Sequence, residues 1–238
     1  MKILLIGYGK MGKTIEQMAQ AKGHTIVGKI DHNNSEDLQN YNGSNTDAAI
    51  EFTHPEAAFE NISYCLSNSI PVVSGSTGWL DKFEEAKQLC EQKKGAFFYA
   101  SNYSVGVNLF FHFNEYIASK MQEYKEYNVA IREIHHLQKV DKPSGTGITA
   151  AEGILASYKN LEGWVADNPE EKGKLNIASE REPDVVGTHI VTYSSEVDQI
   201  ELGHIAHSRA GFAEGAVMAA EWLAGRQGVY GMKDMLNL

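Results

Sequence analysis

The sequence predicts an α/β protein: a doubly wound parallel sheet followed by a second α+β domain on a mixed or antiparallel sheet. Three observations carry this. Short apolar runs alternate with amphipathic stretches through the first part of the chain, the rhythm of a parallel sheet. The first run leads at once into a glycine turn, Gly7-x-Gly9-x-x-Gly12. After about residue 103 the rhythm gives way to a long helix and then to strands without helices between them.

In order, residues 3–6 read as a compact apolar strand. Residues 13–22 put Ile15, Met18 and Ala19 on one helical face until Gly23 stops them. Residues 25–30 form a second strand ending at Asp31, which completes a strand–helix–strand unit of roughly 30 residues. A strand at 48–52, a helix at 54–68 with Pro55 in its first turn, and a strand at 70–74 leading into Gly75-Ser76-Thr77-Gly78 continue the pattern. An amphipathic helix at 80–94 and a strand at 96–100 follow. Beyond them lie a Phe-rich helix at 105–121, an alternating strand at 127–136, a helix at 144–158 and strands within 177–201. The small-residue helix at 211–225 is expected to return to the first domain. That assigns residues 1–104 and 210–238 to a dinucleotide-binding domain and 105–209 to a substrate domain, with ligands expected in a cleft between them.

The 238 residues, 42% hydrophobic and 22% charged, make an ordinary globular balance. A net charge of −10 argues against nucleic-acid binding, which needs clustered Lys and Arg. Cys65 and Cys90 lack any CxxC or His partner and read as buried small hydrophobes in a reducing compartment. The apolar run after Met1 is too short for a targeting segment, and no run approaches a membrane span. The expected location is the cytoplasm, without membrane association.

The glycine turn sits where a Rossmann-like unit needs it, between strand and helix. Gly7 permits the tight turn, Gly9 lets backbone approach a pyrophosphate, and Gly12 brings helix and strand together. The helix N-terminus offers its N–H groups to the phosphates. Asp31, 19 residues after Gly12, can accept from a ribose 2′-hydroxyl and would repel a 2′-phosphate. His32-Asn33-Asn34 supplies no Arg, and only Lys10, Lys13 and Lys29 lie near. NADH is therefore expected in preference to NADPH, with use of both possible.

Residues 133–146 concentrate polar groups between a strand end and a helix start. Pro143-Ser144-Gly145-Thr146 is a helix-start pattern whose exposed N–H groups would suit a carboxylate. His135 and His136 face opposite ways on a strand, which speaks against a shared metal. Lys139 could neutralise a carboxylate or deliver a proton, and Asp141 could orient it. On these residues alone a solvated connection fits as well.

The segment Glu133-x-His135-His136-x-x-Lys139-x-Asp141-x-Pro143-Ser144-Gly145-Thr146 resembles, at every fixed position, the signature of the dihydrodipicolinate reductase family. The resemblance extends over Gly7–Gly12 and residues 52–57, 75–78, 100–108 and 204–216. It implies reduction of 4-hydroxy-tetrahydrodipicolinate by NAD(P)H in lysine and diaminopimelate biosynthesis. It implies His135 as proton donor or acceptor, Lys139 as proton donor, and His136, Lys139, Gly145 and Thr146 as contacts of a dicarboxylate substrate. It implies that Gly7, Gly9, Lys10, Met11, Gly12 and Asp31 hold the adenosine and pyrophosphate end of the cofactor. Phe52, Thr53, Gly75, Ser76, Thr77, Ala100, Ser101, Asn102 and Tyr103 would line the nicotinamide end, with Arg209 and Phe212 as further contacts. No metal is implied, and a homotetramer assembled through the second domain is. Three departures bear on cofactor choice: a glycine turn one residue shorter than in some members, with Lys10 for Arg; a short stretch from Asp31 to Ala48; and no Arg after Asp31.

Overall fold

The computed structural model describes residues 1–208 and 210–238. The chain divides into two compact units, Met1–Val105 with Ala210–Leu238, and Gly106–Arg209.

The first unit is a six-stranded sheet of β1 (Lys2–Ile6), β2 (Thr25–Ile30), β3 (Ala48–Glu51), β4 (Val72–Ser74), β5 (Ala96–Tyr99) and β11 (Gly228–Tyr230), ordered β11-β5-β4-β3-β1-β2. Every pairing is parallel. Successive side chains of a strand point to opposite faces, so an apolar run serves two cores. Ile3 and Leu5 bury on one face with α1 (Lys10–Ala21) and α6 (Ala210–Leu223). Leu4 and Ile6 bury on the other, with α2 (Pro55–Ser67) and α3 (Phe83–Lys93). Phe98 and Phe97 divide the same way. The small residues of α6 allow close approach: a Cβ at Gly215 would fall 1.8 Å from the Tyr103 carbonyl oxygen. The crossover direction reverses between β1 and β3, and this switch point is where open α/β sheets hold ligands.

The second unit is a mixed sheet ordered β10-β9-β6-β8-β7. Its strands are β6 (Asn128–His135), β7 (Trp164–Ala166), β8 (Leu175–Arg181), β9 (Gly187–Ser194) and β10 (Gln199–Ala206). β9 runs antiparallel to both β6 and β10, and β8 runs parallel to β6 and β7. Helices α4 (Val105–Met121) and α5 (Gly145–Leu155) cover one face, burying Phe110, Ala118, Ala151 and Ile154 against Ile131, Ile177, Val191 and Tyr193.

The structure departs from the sequence reading in short elements and ends. The helix expected at 80–94 is a 3-10 turn, Leu80–Lys82, followed by α3, and the 35–40 stretch is a further 3-10 turn. The helix expected from residue 13 begins at Lys10, with Gly9 as its N-cap. The strand region placed at 177–201 starts at Leu175 and ends at Ala206. β7, β11 and the final helix α7 (Met232–Leu236) were not expected at all. Three residues are too few to show a period, and edge strands such as β7 and β11 exist only because a neighbour offers them a ladder. No helix among the described residues is long and apolar enough to cross a membrane. Cys65 and Cys90 are free and buried, and desolvation raises both thiol pKa values, so neither is poised as a thiolate.

Candidate active site

Two clusters account for the residues singled out in the sequence, one in each unit. In the first unit, Gly7 has φ +95, and a Cβ there would stand 1.9 Å from the Phe52 carbonyl oxygen. A Cβ at Gly12 would stand 2.2 Å from the Gly7 carbonyl oxygen. Both positions therefore exclude a side chain, whereas Gly9 faces open space. No side chain caps α1, so its first amides point outward beside half-buried Met11 and exposed Lys10, as a pyrophosphate requires. Asp31 closes β2 and its Oδ1 accepts from Asn33 N–H at 2.7 Å. Lys29 is committed elsewhere: its Nζ lies 2.6 Å from Glu16, which also accepts from Tyr8.

Thr53 and Ser76, two of the residues expected to contact the cofactor, gather round a carboxylate that the sequence reading does not single out. Glu51, at the end of β3, is wholly buried. It accepts from Ser74 Oγ at 2.6 Å, Ser76 Oγ at 2.7 Å, Thr53 N–H at 3.0 Å and the Thr53 hydroxyl. Thr53 N–H also reaches Ser76 Oγ at 2.7 Å. One carboxylate thus holds together the loops that follow β3 and β4. Tyr103 is buried, donates to the Ser74 carbonyl at 2.6 Å and packs 5.7 Å from the Phe52 ring. That ring fills the space a Cβ at Gly75 would need, 2.2 Å away. The hydroxyls of Thr53, Ser76 and Tyr103 are therefore occupied within the protein. Thr77 and Ser101 are exposed, Ala100 is buried, and Asn102 accepts from Ser104 N–H at 2.9 Å. Phe212 is half-buried in the first turn of α6. Arg209 lies outside the described residues.

In the second unit, β6 ends at His135, which is buried, while His136 is half-buried just beyond the strand. Lys139 donates from Nζ to both carboxylate oxygens of Asp141 at 2.8 Å, and this bond holds the Asp141 carboxyl below its ordinary pKa. Arg181 ties the loop down, donating to the Asp141 carbonyl at 2.6 Å and the Lys139 carbonyl at 3.3 Å. Ser144 caps α5, accepting from Gly147 N–H at 3.0 Å. Gly145 faces open space beside half-buried Thr146, so the first amides of α5 are accessible to an anion.

Behind this loop is a polar layer, buried except at half-buried His204. Strand register sets Ser179, Glu133, His189 and His204 side by side across β8, β6, β9 and β10. Glu133 accepts Ser144 N–H at 2.9 and 3.1 Å, and Ser144 Oγ lies 3.0 Å from His189 Nε2. Ligand atoms of Glu133, His135 and His189 lie within 4.8 Å of one another, close enough to consider a metal, but Ser144 already spans Glu133 and His189. Glu133 also forbids a side chain at Gly147, where a Cβ would lie 2.5 Å from Oε2.

Burial lowers the pKa of His135, opposed by the nearby Glu133 charge and assisted by Lys139 and Arg181. Burial also takes His189 down to about 3, with the positive fields of His135 and His204 in the same direction. A histidine with a lower pKa folded than unfolded takes up protons preferentially in the unfolded chain, so acid favours unfolding below about pH 6.5. His189 alone should remove about 2 kcal/mol of stability between about pH 8 and about pH 5. His135 and His204, also lowered by burial, add to the same trend. Urea midpoints at the two pH values check this, and a midpoint that stays constant across the window contradicts it.

Glu51, Arg181 and His189 are the neighbours of the expected site residues that sequence reasoning misses. A charged residue closing an apolar run was the available signal for Glu51, and a histidine on the buried face of an alternating strand the signal for His189. Arg181 carried none, since its partners are carbonyls about 40 residues away in sequence.

Comparison with known proteins finds one family along nearly the whole chain. Residues 1–103 match the family model described as dihydrodipicolinate reductase, N-terminus, and residues 106–236 the one described as dihydrodipicolinate reductase, C-terminus. The 4-hydroxy-tetrahydrodipicolinate reductase of Christiangramia forsetii is 49% identical over 239 residues, covering 100% of this chain and 98% of the relative. That of Neisseria gonorrhoeae is 31% identical over 266 residues, with coverage of 100% and 98%. The fold is shared with the solved structure of dipicolinate-bound dihydrodipicolinate reductase from Paenisporosarcina sp. TG-14, at a TM-score of 0.83 and 22% identity over 98% of each chain. The chain belongs to the dihydrodipicolinate reductase family.

Proposed function

We propose that this chain reduces 4-hydroxy-tetrahydrodipicolinate to tetrahydrodipicolinate, with loss of water, using NADH in preference to NADPH, and that His135 and Lys139 carry its proton chemistry. It is an NAD(P)H-dependent oxidoreductase of lysine and diaminopimelate biosynthesis. The observation that carries the residue assignment is Lys139: its ammonium is held by Asp141 in the same loop that leads into the first turn of α5, where Gly145 faces open space.

A bound nicotinamide supplies the hydride. The chain's own residues do the rest. Gly145 and Thr146 N–H groups and the α5 dipole receive one substrate carboxylate, with His136 and Lys139 beside them. As charge develops on the substrate, the Lys139 ammonium stabilises it and gives up a proton. Asp141 orients that ammonium. Burial keeps His135 neutral near pH 7, so in the resting protein it accepts rather than donates, and after turnover it can take a proton from water and pass it to the neutral Lys139 amine.

The glycine turn, the uncapped α1 and Asp31 fit the adenosine end of a dinucleotide. Asp31 and the pairing of Lys29 with Glu16 favour a free 2′-hydroxyl over a 2′-phosphate. A like charge within contact distance costs about 1 kcal/mol even in water, so kcat/KM with NADH should exceed that with NADPH about fivefold. Initial rates with freshly generated 4-hydroxy-tetrahydrodipicolinate and each cofactor in parallel test both points. No turnover with either cofactor refutes the activity; a strong NADPH preference refutes the role of Asp31.

The homotetramer belongs to the same proposal. The face of the second-unit sheet opposite α4 and α5 carries Ile205, 60% exposed, with half-buried Ile190 diagonally across from it, and β10 is the edge strand. Sedimentation at micromolar concentration should give a tetramer, and a monomer there would exclude it. The two buried thiols support a cytoplasmic location, which cell fractionation tests.

A further inference from the structure

His189 lies in none of the motifs, yet it touches two parts of the proposed site. It stands directly across from Glu133 in the β6–β9 ladder. Its ring meets the His135 ring edge-on, with centroids 4.9 Å apart and planes at 68°. Its Nε2 lies 3.0 Å from Ser144 Oγ, the cap of α5.

Donor counting fixes the sense of that last bond. A hydroxyl has one hydrogen and two acceptor positions. Ser144 Oγ gives its hydrogen to Glu133 Oε2 at 2.5 Å and accepts Gly147 N–H at 3.0 Å. Only an acceptor position remains, so His189 Nε2 carries the hydrogen and donates. The other nitrogen, Nδ1, is buried without a hydrogen-bond partner, as the bare nitrogen of that tautomer can be. The strand backbone at Gly187 bounds the His135 ring closely: a Cβ there would come within 3.3 Å of His135 Nε2.

We propose that His189 is a positioning residue for this site, fixing both the start of α5 through its Nε2–H bond to Ser144 and the plane of the His135 imidazole through its edge contact. This rests on the reading of His135, Gly145 and Thr146 given above. One side chain then sets the anion cradle and the proton carrier relative to each other. The groups facing it are Glu133 and His135 on β6, His204 on β10 and Ser144 at the α5 cap. Burial among them keeps its ring neutral through the working pH range.

Two variants and one spectrum test this. His189→Phe keeps a ring against His135 and removes the donor; His189→Gln places an amide N–H near the Nε2 position. Small misplacements of reacting groups cost up to about a hundredfold, so H189F should raise KM for the dicarboxylate and lower kcat, together cutting kcat/KM by about thirtyfold to a hundredfold. The Kd for NADH should stay within about twofold, because the glycine turn lies in the other unit. H189Q should recover most of the lost kcat/KM. A folded H189F with parental KM, kcat and pH profile overturns the proposal, and so does an H189Q no better than H189F. In the unmodified protein, imidazole nitrogen NMR should show His189 as the neutral Nε2–H tautomer from about pH 5 to about pH 9. An Nδ1–H tautomer, or titration near the ordinary histidine pKa, overturns it even if H189F does not fold. If the unmodified protein fails to turn over the substrate, the activity reading falls by itself, and the spectrum still decides the bond to Ser144.

Discussion

Replacing Lys139 by alanine lowers kcat by about a hundredfold to ten-thousandfold, the range typical of losing a positioned general acid. The cause is local. Lys139 is tethered to Asp141 at 2.8 Å through two oxygens, and its loop is held from behind by Arg181. On the proposed role of Lys139, alanine removes the proton source and one positive partner of the substrate carboxylates, so KM should rise as well. NADH affinity should hold within about twofold, since none of these groups belongs to the glycine-turn unit. Lys139→Arg is the informative companion. It keeps the charge but not a proton it can give up, so it should restore KM more than kcat. Steady-state kinetics with a separate NADH titration read both effects, and normal turnover in the alanine variant would remove Lys139 from its role.

Glu51→Ala should be the most destabilising single change in the glycine-turn unit. It strips the acceptor from Ser74, Ser76 and Thr53, whose donors sit in or beside the buried core. Each unsatisfied buried group costs about 1–3 kcal/mol, and partial relaxation leaves a total of about 3–5 kcal/mol. The loops after β3 and β4 lose their common anchor, so NADH affinity should fall about tenfold or more under conditions where the variant is still folded. Glu51→Gln retains one acceptor oxygen but turns an amide donor toward hydroxyl and amide donors, and should fall between. Urea unfolding and fluorescence titration with NADH are the measurements; a loss below about 1 kcal/mol with unchanged affinity would show that the loops hold their shape without Glu51.

The contrast between Lys139 and Glu51 marks how far the chain could be read before its structure. Lys139 sits in a dense polar segment, His135 to Thr146, whose turn and helix-start chemistry is local and therefore visible. The helices and strands with a clear period were visible too, α4 being placed at its observed ends, Val105 and Met121. Three-residue strands were not, because they have no period to show. Nor was the pairing of Lys29 with Glu16, two residues 13 positions apart on neighbouring elements.

By itself the sequence determined what depends on near neighbours. Gly12 must be glycine because the Gly7 backbone passes where a Cβ would stand, and apolar runs buried on both faces demand a parallel sheet with helices on each side. The tertiary structure alone decided which polar groups meet. Glu51 finds Ser76 across 25 positions, and Ser144 finds His189 across 45, through ladder register and loop closure. A buried donor and acceptor are brought together by the fold of the strands between them, and no local spacing records that.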